Sequence, residues 1–414
     1  MQGTRSLGQL VAVAALTCAV VGCGGGDGAS PAAAPLASGK LDAAYGAAGS
    51  AFLPGEDYFE MATARDGSVI VTGRTLVRLD PSGESVPFGE PLPPGRIVYG
   101  PVPDPAGNLY AKISDITGSA TLLAKFDSQG RPASDFGIAG VTSLGVFSGP
   151  LLRDPAGQLY VAATFPSGGI ETMWVAKYDA NGRQSSSYGN AGFAKVEFGG
   201  QRAFVKGAAV DADGNVYVLG SLSPSTSGIV VAKFDPNGRL ADFATGGVWT
   251  RTCDGSMEPE AIAVDASHNV FVAAGCFHLG SGASELMLFK LDPQGNVAVP
   301  FRDGGLRAGL LGGSALIRAI LPGPGGVVYV AGEIGDRECA DLAVTKLDPQ
   351  GNEVAPFGNN GIAILNNADD KLTNLGLDDA GRLYFGGTVY TCGPSLVGVN
   401  VKRKLGFAVY RIGG

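Results

Sequence analysis

The chain has 414 residues and a net charge of -8, with 45% hydrophobic but only 16% charged residues. This acidic balance, without a long Lys/Arg run, argues against the counterion release on which nucleic-acid binding depends. With 66 glycines and 25 prolines, the composition predicts a turn-rich, folded all-β protein and excludes a disordered one.

The first residues have the pattern of an export signal that ends in a lipidation site. Arg5 precedes an apolar run over 10–21 that is too short to span a bilayer as a mature helix. The run ends in "VVGC", which resembles the lipobox of bacterial lipoproteins, in which the cysteine becomes the lipidated first residue. Cys23 is therefore the predicted lipidation site; Cys18, which follows Thr17, and a plain secretory signal are the alternatives.

A flexible tether separates the predicted anchor from the rest of the chain. The stretch "GGGDGASPAAAPLASGK" is rich in Gly, Ala, Pro and Ser and has almost no bulky apolar residue to bury in a core. We therefore predict a signal peptide over 1–22, a lipidated tether over 23–40 and a folded domain over 41–414, with the membrane contacted through the lipid alone. By resemblance to sorted lipoproteins, Gly24 favours the outer membrane in a cell that has one.

One phrase occurs seven times in the folded domain, as in "AAVDADGNVYVLG" over 208–220. Its Asp and Gly are typical of a tight hairpin turn, because Gly adopts a positive φ freely and the Asp side chain bonds the backbone of the turn. The alternation in "NVYVLG" predicts a strand after each turn. The turn residue of the seven copies is predicted at Gly67, Gly107, Gly157, Gly214, His268, Gly325 and Gly381.

Two further phrases complete each copy. Strands such as "VVAKFDPNG" end in a second turn, and elements such as "FATGG" and "YGNAG" lead into another strand, so each unit is predicted to hold four short strands. Seven such units predict an all-β fold, a seven-bladed β-propeller, in which each small sheet packs between its neighbours and the ring closes on itself. The unit length is 52 to 57 residues, measured between Asp127, Asp179, Asp235, Asp292 and Asp348.

These phrases resemble the delta-sixty repeat of bacterial envelope proteins and, more loosely, the repeats of NHL-type propellers. The resemblance covers 41–414 and implies the fold, whereas propellers of this kind serve many functions. The domain begins with an unpartnered fourth-strand element over 41–55 and ends with a third strand over 406–414. We expect "GSAFL" (49–53) to complete the last blade and to remove the open edges of the ring.

Propeller lactonases and the lyases that resemble NHL repeats hold catalytic groups where the inner strands meet the channel. Seven residues before the predicted turn, three of the first strands carry polar side chains in adjacent blades, Glu60, Arg318 and Asn374. The other first strands mostly carry small residues there. A small polar site in the channel and a structural ion pair both fit this pattern.

The chain has only two histidines, which leaves little for nucleophilic catalysis or a multi-histidine metal site. His268 is interpreted as a turn residue with a polar neighbour, and His278 as a binding contact in a long loop. The segment "DADGN" over 211–215 has the look of a calcium loop, but no bidentate Glu follows it at the required distance, so a turn is predicted. We predict no metal and no other cofactor.

The loops after the second strands vary most from copy to copy, from "GRTL" in the first unit to "GGTVYTCGPSLVGVNVKRKLG" in the last. Variable loops on a rigid scaffold are common binding sites, although loops also drift without selection. Together with the crossover before the fifth unit, these loops are expected on one face. The predicted ligand-binding set on that face comprises Trp249, Glu258, His278, Arg337, Glu338, Tyr390, Lys402 and Arg403.

Four cysteines lie in the last three units of a chain that is predicted to be exported, where disulfides persist. Cys253, before the fifth unit, and Cys276, at the end of that unit's second strand, are expected to share a face. Cys339 and Cys392 occupy matching loops of adjacent blades. We therefore predict the pairs Cys253–Cys276 and Cys339–Cys392, with four free thiols and two other pairings as the alternatives.

Together these features predict a monomeric, lipid-anchored β-propeller of the cell envelope. In this interpretation it binds a protein or a glycan through its loop-rich face and does not bind nucleic acid. One alternative is an envelope hydrolase or lyase with a site in the propeller channel, with or without a metal. The other is a purely structural role in a surface assembly.

Overall fold

The described residues are almost entirely strands and turns, arranged in seven antiparallel sheets. A computed structural model describes residues 39–413 apart from 56, 91, 116–120, 146–148, 225–227, 279, 281–283, 299–300, 302–310, 312–314, 336–339, 366–368 and 391–403. Pro324–Gly326 form a short 3-10 turn. None of the described residues belongs to a helix long and apolar enough to cross a membrane.

Each sheet is one blade, and blades are numbered by the chain order of their first strands. Blade seven also receives β1 (Lys40–Leu41) and β2 (Ser50–Pro54). Blades one to three hold β3 (Tyr58–Thr63), β4 (Val69–Gly73), β5 (Leu76–Leu79), β6 (Ser85–Val86), β7 (Arg96–Pro103), β8 (Leu109–Asp115), β9 (Thr121–Phe126), β10 (Val141–Gly145), β11 (Leu151–Arg153), β12 (Leu159–Ser167), β13 (Ile170–Tyr178) and β14 (Phe193–Val196). Blades four to seven hold β15 (Arg202–Val210), β16 (Val216–Ser223), β17 (Ile229–Phe234), β18 (Val248–Arg251), β19 (Ser256–Val264), β20 (Val270–Phe277), β21 (Ser284–Leu291), β22 (Ala315–Pro322), β23 (Val328–Gly335), β24 (Ala340–Leu347), β25 (Ile362–Leu365), β26 (Asp369–Leu377), β27 (Leu383–Tyr390) and β28 (Lys404–Gly413).

The seven blades stand in a ring around a central channel. The first strands of neighbouring blades contact one another in the order β3, β7, β11, β15, β19, β22 and β26, and β26 in turn contacts β3. Within each blade the later strands follow in antiparallel order away from the channel. The predicted seven-bladed β-propeller is therefore confirmed.

The ring is closed by the first described segment, as predicted. β2 pairs antiparallel with β28 along its whole length, and β1 pairs with the end of β28. Ahead of β2, the ring of Tyr45 packs edge to face on Tyr384 of blade seven, with 5.7 Å between the ring centroids. The two ends of the described chain thus share one blade and hold the ring shut.

An aromatic pair beneath a cation recurs in the blades. In blade four the rings of Tyr217 and Phe243 lie edge to face at 5.8 Å, and Lys233 Nζ lies 5.1 Å from the centre of the Tyr217 ring. Phe243 is the aromatic residue of the "FATGG" phrase, and it packs with Val270 of blade five in a core between the two blades. The other pairs, at 5.7 to 6.1 Å, are Tyr45–Tyr384, Tyr110–Phe136, Tyr160–Tyr188, Phe271–Phe301 and Tyr329–Phe357.

The antiparallel order gives the ring two distinct faces. The turns after the first and third strands of the blades, such as 211–215 and 235–239, form the turn face. The ends of the second strands, at Phe277 and Tyr390, and the crossovers that precede the first strands form the loop face. The strand ends that flank the variable loops therefore lie on one face.

Two details of the repeat differ from the prediction. In blade six the Gly323 amide bonds the Val327 carbonyl, which makes Gly326, and not Gly325, the equivalent of Gly214. The glycine doublet had allowed an alignment shifted by one residue. In blade one the fourth strand has only two residues, because Pro87 follows directly and proline lacks the amide hydrogen that strand pairing requires.

Candidate functional site

The "DADGN" segment is a turn, as predicted, and its first carboxylate is committed to the fold. Asp211 Oδ1 accepts the amides of Asp213 and Asn215, and Oδ2 accepts the Tyr217 hydroxyl at 3.1 Å. Burial opposes the ionisation of Asp211, but the hydrogen bonds from Asn215, His268 and Tyr217 outweigh it and lower the pKa of this carboxyl below its ordinary value. Among the described residues no group of His, Cys, Asp and Glu is arranged to hold a metal ion.

His268 links two blades through this turn. It replaces the turn glycine of blade five with a φ of 63°, and its Nδ1 lies 3.0 Å from Asp211 Oδ2 in blade four. One blade earlier the turn glycine faces the equivalent groups, since a methyl group added at Gly214 would lie 3.2 Å from the Tyr160 hydroxyl oxygen. His268 therefore has the structural role that was predicted for it.

The turn face of the channel holds a cavity of about 390 Å³, lined by the turns of blades one to five. The carboxylates in its wall already have partners within the fold. Asp154 accepts the Tyr160 hydroxyl at 3.0 Å, and Asp265 accepts the Asn269 side-chain amide at 2.8 Å. The turn face thus offers an opening whose carboxylates hold the turns together.

The predicted channel residues Glu60 and Asn374 join neighbouring blades. Glu60 accepts the backbone amide of Gly100 in blade two. Asn374 Nδ2 donates to the carbonyl of Met61 in blade one at 3.0 Å. Both side chains bridge adjacent first strands, so they brace the inner ring.

Arg318, the third predicted channel residue, occupies a different position. The corrected turn in blade six makes Ala319 the equivalent of Glu60 and Asn374, and Arg318 is an extra residue bulged out of β22. Its guanidinium makes a paired contact with Glu333 of β23, with distances of 3.1 Å from Nε to Oε1 and 3.2 Å from Nη2 to Oε2. Glu60, Arg318 and Asn374, for which a polar site and a structural ion pair were the two alternatives, therefore make three separate contacts.

Bulges place a charged side chain at the same point of three consecutive first strands. Lys206, Glu260 and Arg318 are the unpaired extra residues of β15, β19 and β22. A β-bulge re-aims a side chain out of the regular alternation, and bulges are frequent next to functional sites. Lys206 and Arg318 are exposed and Glu260 is half-buried, so blades four to six carry alternating charges on the strands nearest the channel.

Glu260 lies in an unfavourable environment for a carboxylate. Burial raises the pKa of its carboxyl, the positive charges of Arg318 and Lys206 oppose the rise, and the negative charges of Glu258 and Glu333 add to it. Charges of both signs therefore meet around the Glu260 carboxyl, and burial decides the direction of the shift.

Blade two contains a buried cation that braces the ring. Lys112 is 4% exposed, its Nζ donates to the carbonyl of Gly149 ahead of β11, and it lies 4.4 Å from the centre of the Tyr99 ring. Burial lowers the pKa of Lys112 to about 8, and the charge of Glu60 opposes this shift. Lys112 thus joins blades two and three.

A disulfide fixes the loop face of blade five. The predicted Cys253–Cys276 bond is present and ties the crossover before β19 to β20. Loop-closure entropy for cysteines 23 residues apart gives it a contribution of about 3 kcal/mol to stability. Beside it, His278 Nδ1 lies 3.2 Å from the Asp254 carbonyl oxygen and Nε2 lies 3.4 Å from Glu285. The disulfide thus holds together the segments that carry Asp254, His278 and Glu285.

Two residues expected in the crossover before blade five lie in strands instead. Trp249 is in β18 and only 7% exposed, and its ring centroid lies 5.5 Å from that of Phe289. The alternation in "VWTR" turns the indole into the core between blades four and five, so it is not presented on the loop face. Glu258 is in β19 and exposed. Tyr390 ends β27, where Lys371 Nζ lies 5.7 Å from its ring centre.

The other predicted residues lie outside the described part of the chain. They are Arg337, Glu338, Lys402 and Arg403 of the ligand-binding set, the cysteine pair Cys339 and Cys392, and the lipidation site Cys23. Lys404, which follows this set, donates to the carbonyl of Tyr58 and joins blade seven to blade one.

The sequence pattern does not single out three charged residues of the channel edge, Lys206, Glu260 and Glu333. The period-two alternation of a strand does not show which residue will form a bulge and leave the regular alternation of side chains. The signal that would have found the bulges is positional, because Lys206, Glu260 and Arg318 each lie eight residues before the turn residue of their own unit. Glu333 then follows as the residue that the bulged Arg318 reaches.

Neither a protein-family model nor a curated protein matches this chain. A solved structure of a protein of unknown function from Bacteroides caccae is similar to it at 16% identity and a TM-score of 0.41, covering 76% of this chain and 100% of that one. The polysaccharide lyase Uly1 is similar at 12% identity and 0.48, covering 89% and 92%. Regucalcin, a calcium-binding protein from Agrobacterium tumefaciens, is similar at 15% and 0.40, covering 79% and 96%. At these identities the similarities assign neither a family nor a function.

Proposed function

We propose that this protein is a lipid-anchored β-propeller of the cell envelope that binds a partner through its loop face, with blades five and six as the contact region. One observation carries the proposal: Phe277 and Leu316 are 48% and 43% exposed at the loop-face ends of β20 and β22, two strands that contact each other. Exposed apolar patches are typical of contact surfaces, and the two contacting strands bring these side chains to the same face. The disulfide Cys253–Cys276 holds this region in place and so lowers the ordering cost of binding.

The proposed anchor rests on the order of export signal, lipobox and tether over 1–40. As part of the same proposal, the chain is a delta-sixty-repeat propeller of a bacterial envelope, and the repeat phrases support this. Cys23→Ala should abolish partitioning into the detergent phase, because the acyl chains are lost, whereas Cys18→Ala should partition like the wild type. Detergent phase separation followed by immunoblotting measures both. Unchanged partitioning of Cys23→Ala would contradict the anchor.

Replacing the two exposed apolar side chains tests the binding proposal. The wild-type protein is used to capture its partner from envelope extract, and the partner is identified, purified and titrated directly. Phe277→Ser combined with Leu316→Ser should raise the Kd at least ten-fold, because apolar area buried at the centre of an interface supplies much of its binding free energy. The matched control is Ile138→Ser, since Ile138 is 84% exposed near the turns of the opposite face. Equal affinity of the double variant and the control would refute the proposal.

A further inference from the structure

Blades five and six present a loop-face surface that is acidic as well as apolar. Phe277 and Leu316 supply its exposed apolar side chains. Six carboxylates belong to the same ends of these blades, and we call them the acidic rim. The acidic rim consists of Asp254, Glu258, Glu260, Glu285, Glu333 and Asp341.

Strand register places the acidic rim beside the two apolar side chains. Glu333 lies directly opposite Leu316 in the pairing of β22 with β23. Glu285 lies opposite Cys276, the residue before Phe277, in the pairing of β20 with β21. A partner that covers Phe277 and Leu316 must therefore also meet the charges of the rim.

Within the described residues, five of the six rim carboxylates form no ion pair with a Lys or Arg, whereas Glu333 is 7% exposed and paired. Among the described residues at the loop-face ends of blades five and six, Arg318 is the only Lys or Arg, and it is already paired with Glu333. Burial raises the pKa of Glu260 and of Asp341. These carboxyls lie where an added positive charge is favourable and an added negative charge is not.

We infer that this surface docks a basic polypeptide segment that carries apolar side chains, an inference that rests on the proposed function. Lys or Arg side chains of the segment pair with the exposed and half-buried carboxylates of the acidic rim, while its apolar side chains cover Phe277 and Leu316. An acidic glycan is disfavoured because it brings like charges to the rim, and a neutral glycan leaves the rim unpaired. Complementary charge of this kind selects a partner and speeds its association.

Probes of opposite charge on the same scaffold test the inference. The first probe is a fluorescently labelled peptide of lysine, leucine and glycine, the second has glutamate at every lysine position, and the third is labelled oligogalacturonate as an acidic glycan. Fluorescence anisotropy at low salt should show binding of the lysine peptide, and added salt should weaken it by screening. The other two probes should bind at least ten-fold more weakly.

Two variants with the same change in charge localise the effect. Glu258→Gln combined with Glu260→Gln should weaken binding of the lysine peptide at least ten-fold. Glu84→Gln combined with Asp213→Asn also removes two negative charges, but from the exposed turn face, and should leave the affinity unchanged. Circular dichroism of each variant verifies that the ring is folded.

Three results would overturn the inference: no binding of the lysine peptide by the wild type, equally tight binding of the glutamate peptide or the glycan, or equal loss of affinity in the two charge variants. None of these results touches the proposed function. The proposed function fails on a different measurement, when the Phe277→Ser and Leu316→Ser double variant keeps full affinity for the captured partner.

Discussion

Deletion of residues 41–55 is expected to destabilise the whole ring and not blade seven alone. The deletion removes β2 from its place beside β28 and Tyr45 from its contact with Tyr384. It also removes Asp42, whose carboxylate lies 2.8 Å from Nη2 of Arg411. Arg411 is buried, with only 3% of the residue exposed. Leaving a buried cation without its partner costs about 3–5 kcal/mol by itself, which is a large part of the stability of a typical domain.

Deletion of residues 24–38 is the matched control, because it removes the same number of residues from the Gly-, Ala-, Pro- and Ser-rich tether. It should leave the Tm unchanged when thermal unfolding is followed by circular dichroism. Tyr45→Ala gives a milder test on the full-length chain, and it should cost about 3–5 kcal/mol because it empties a fully buried aromatic site. Equal Tm values for the two deletions would show that the first described segment does not close the ring.

Asp211→Ala is expected to have the next largest effect, a loss of about 3 kcal/mol or more in the free energy of unfolding. The substitution leaves the buried Tyr217 hydroxyl without its acceptor, releases the turn amides of Asp213 and Asn215 and breaks the contact with His268 of blade five. Each buried polar group left unpaired costs about 1–3 kcal/mol. Urea denaturation at neutral pH measures the loss.

Blade six provides a natural comparison for this network. Gly323 stands where Asp211 stands in blade four, and within the described residues the buried Tyr329 hydroxyl has no hydrogen-bond partner. Tyr217→Phe should therefore lower the free energy of unfolding by about 1–3 kcal/mol, whereas Tyr329→Phe should keep or raise it. A loss in Tyr329→Phe as large as that in Tyr217→Phe would contradict the role given to the carboxylate.

The pH dependence of the Asp211 effect has a defined sign. Its folded-state pKa lies below the ordinary value, so the stability it contributes is fully present above the ordinary aspartate pKa of about 3.9. That stability is lost as the pH falls through the folded-state pKa. The difference in unfolding free energy between wild type and Asp211→Ala should therefore shrink as the pH falls below about 5.

Features that repeat along the chain could be predicted from the sequence. Seven copies of a turn and two strand phrases fix the number of blades, and the complementary ends of the domain fix where the ring closes. The Cys253–Cys276 disulfide could also be predicted from the repeat, because the strand order of a unit places a crossover and the end of a second strand on one face. These inferences depend on periodicity, which the sequence displays directly.

Features that depend on a shift of one residue could not be predicted in the same way. The glycine doublet of the sixth turn moved Arg318 into the position of Ala319. Trp249 lies in a strand and not in the expected crossover, and the alternation of that strand points it into a core. The bulged Lys206 and Glu260 acquire their importance from neighbouring blades, whose contacts a single strand pattern does not show.

Site-specific photocrosslinking tests the proposed loop-face contact most directly. A benzophenone amino acid is placed at Phe277 on the loop face or at Ile138 near the turn face, in the full-length protein expressed in its own cell envelope. Irradiation, followed by mass spectrometry of the crosslinked species, should give a defined partner at Phe277 and none at Ile138. A partner crosslinked at Ile138, with none at Phe277, would contradict binding through the loop face.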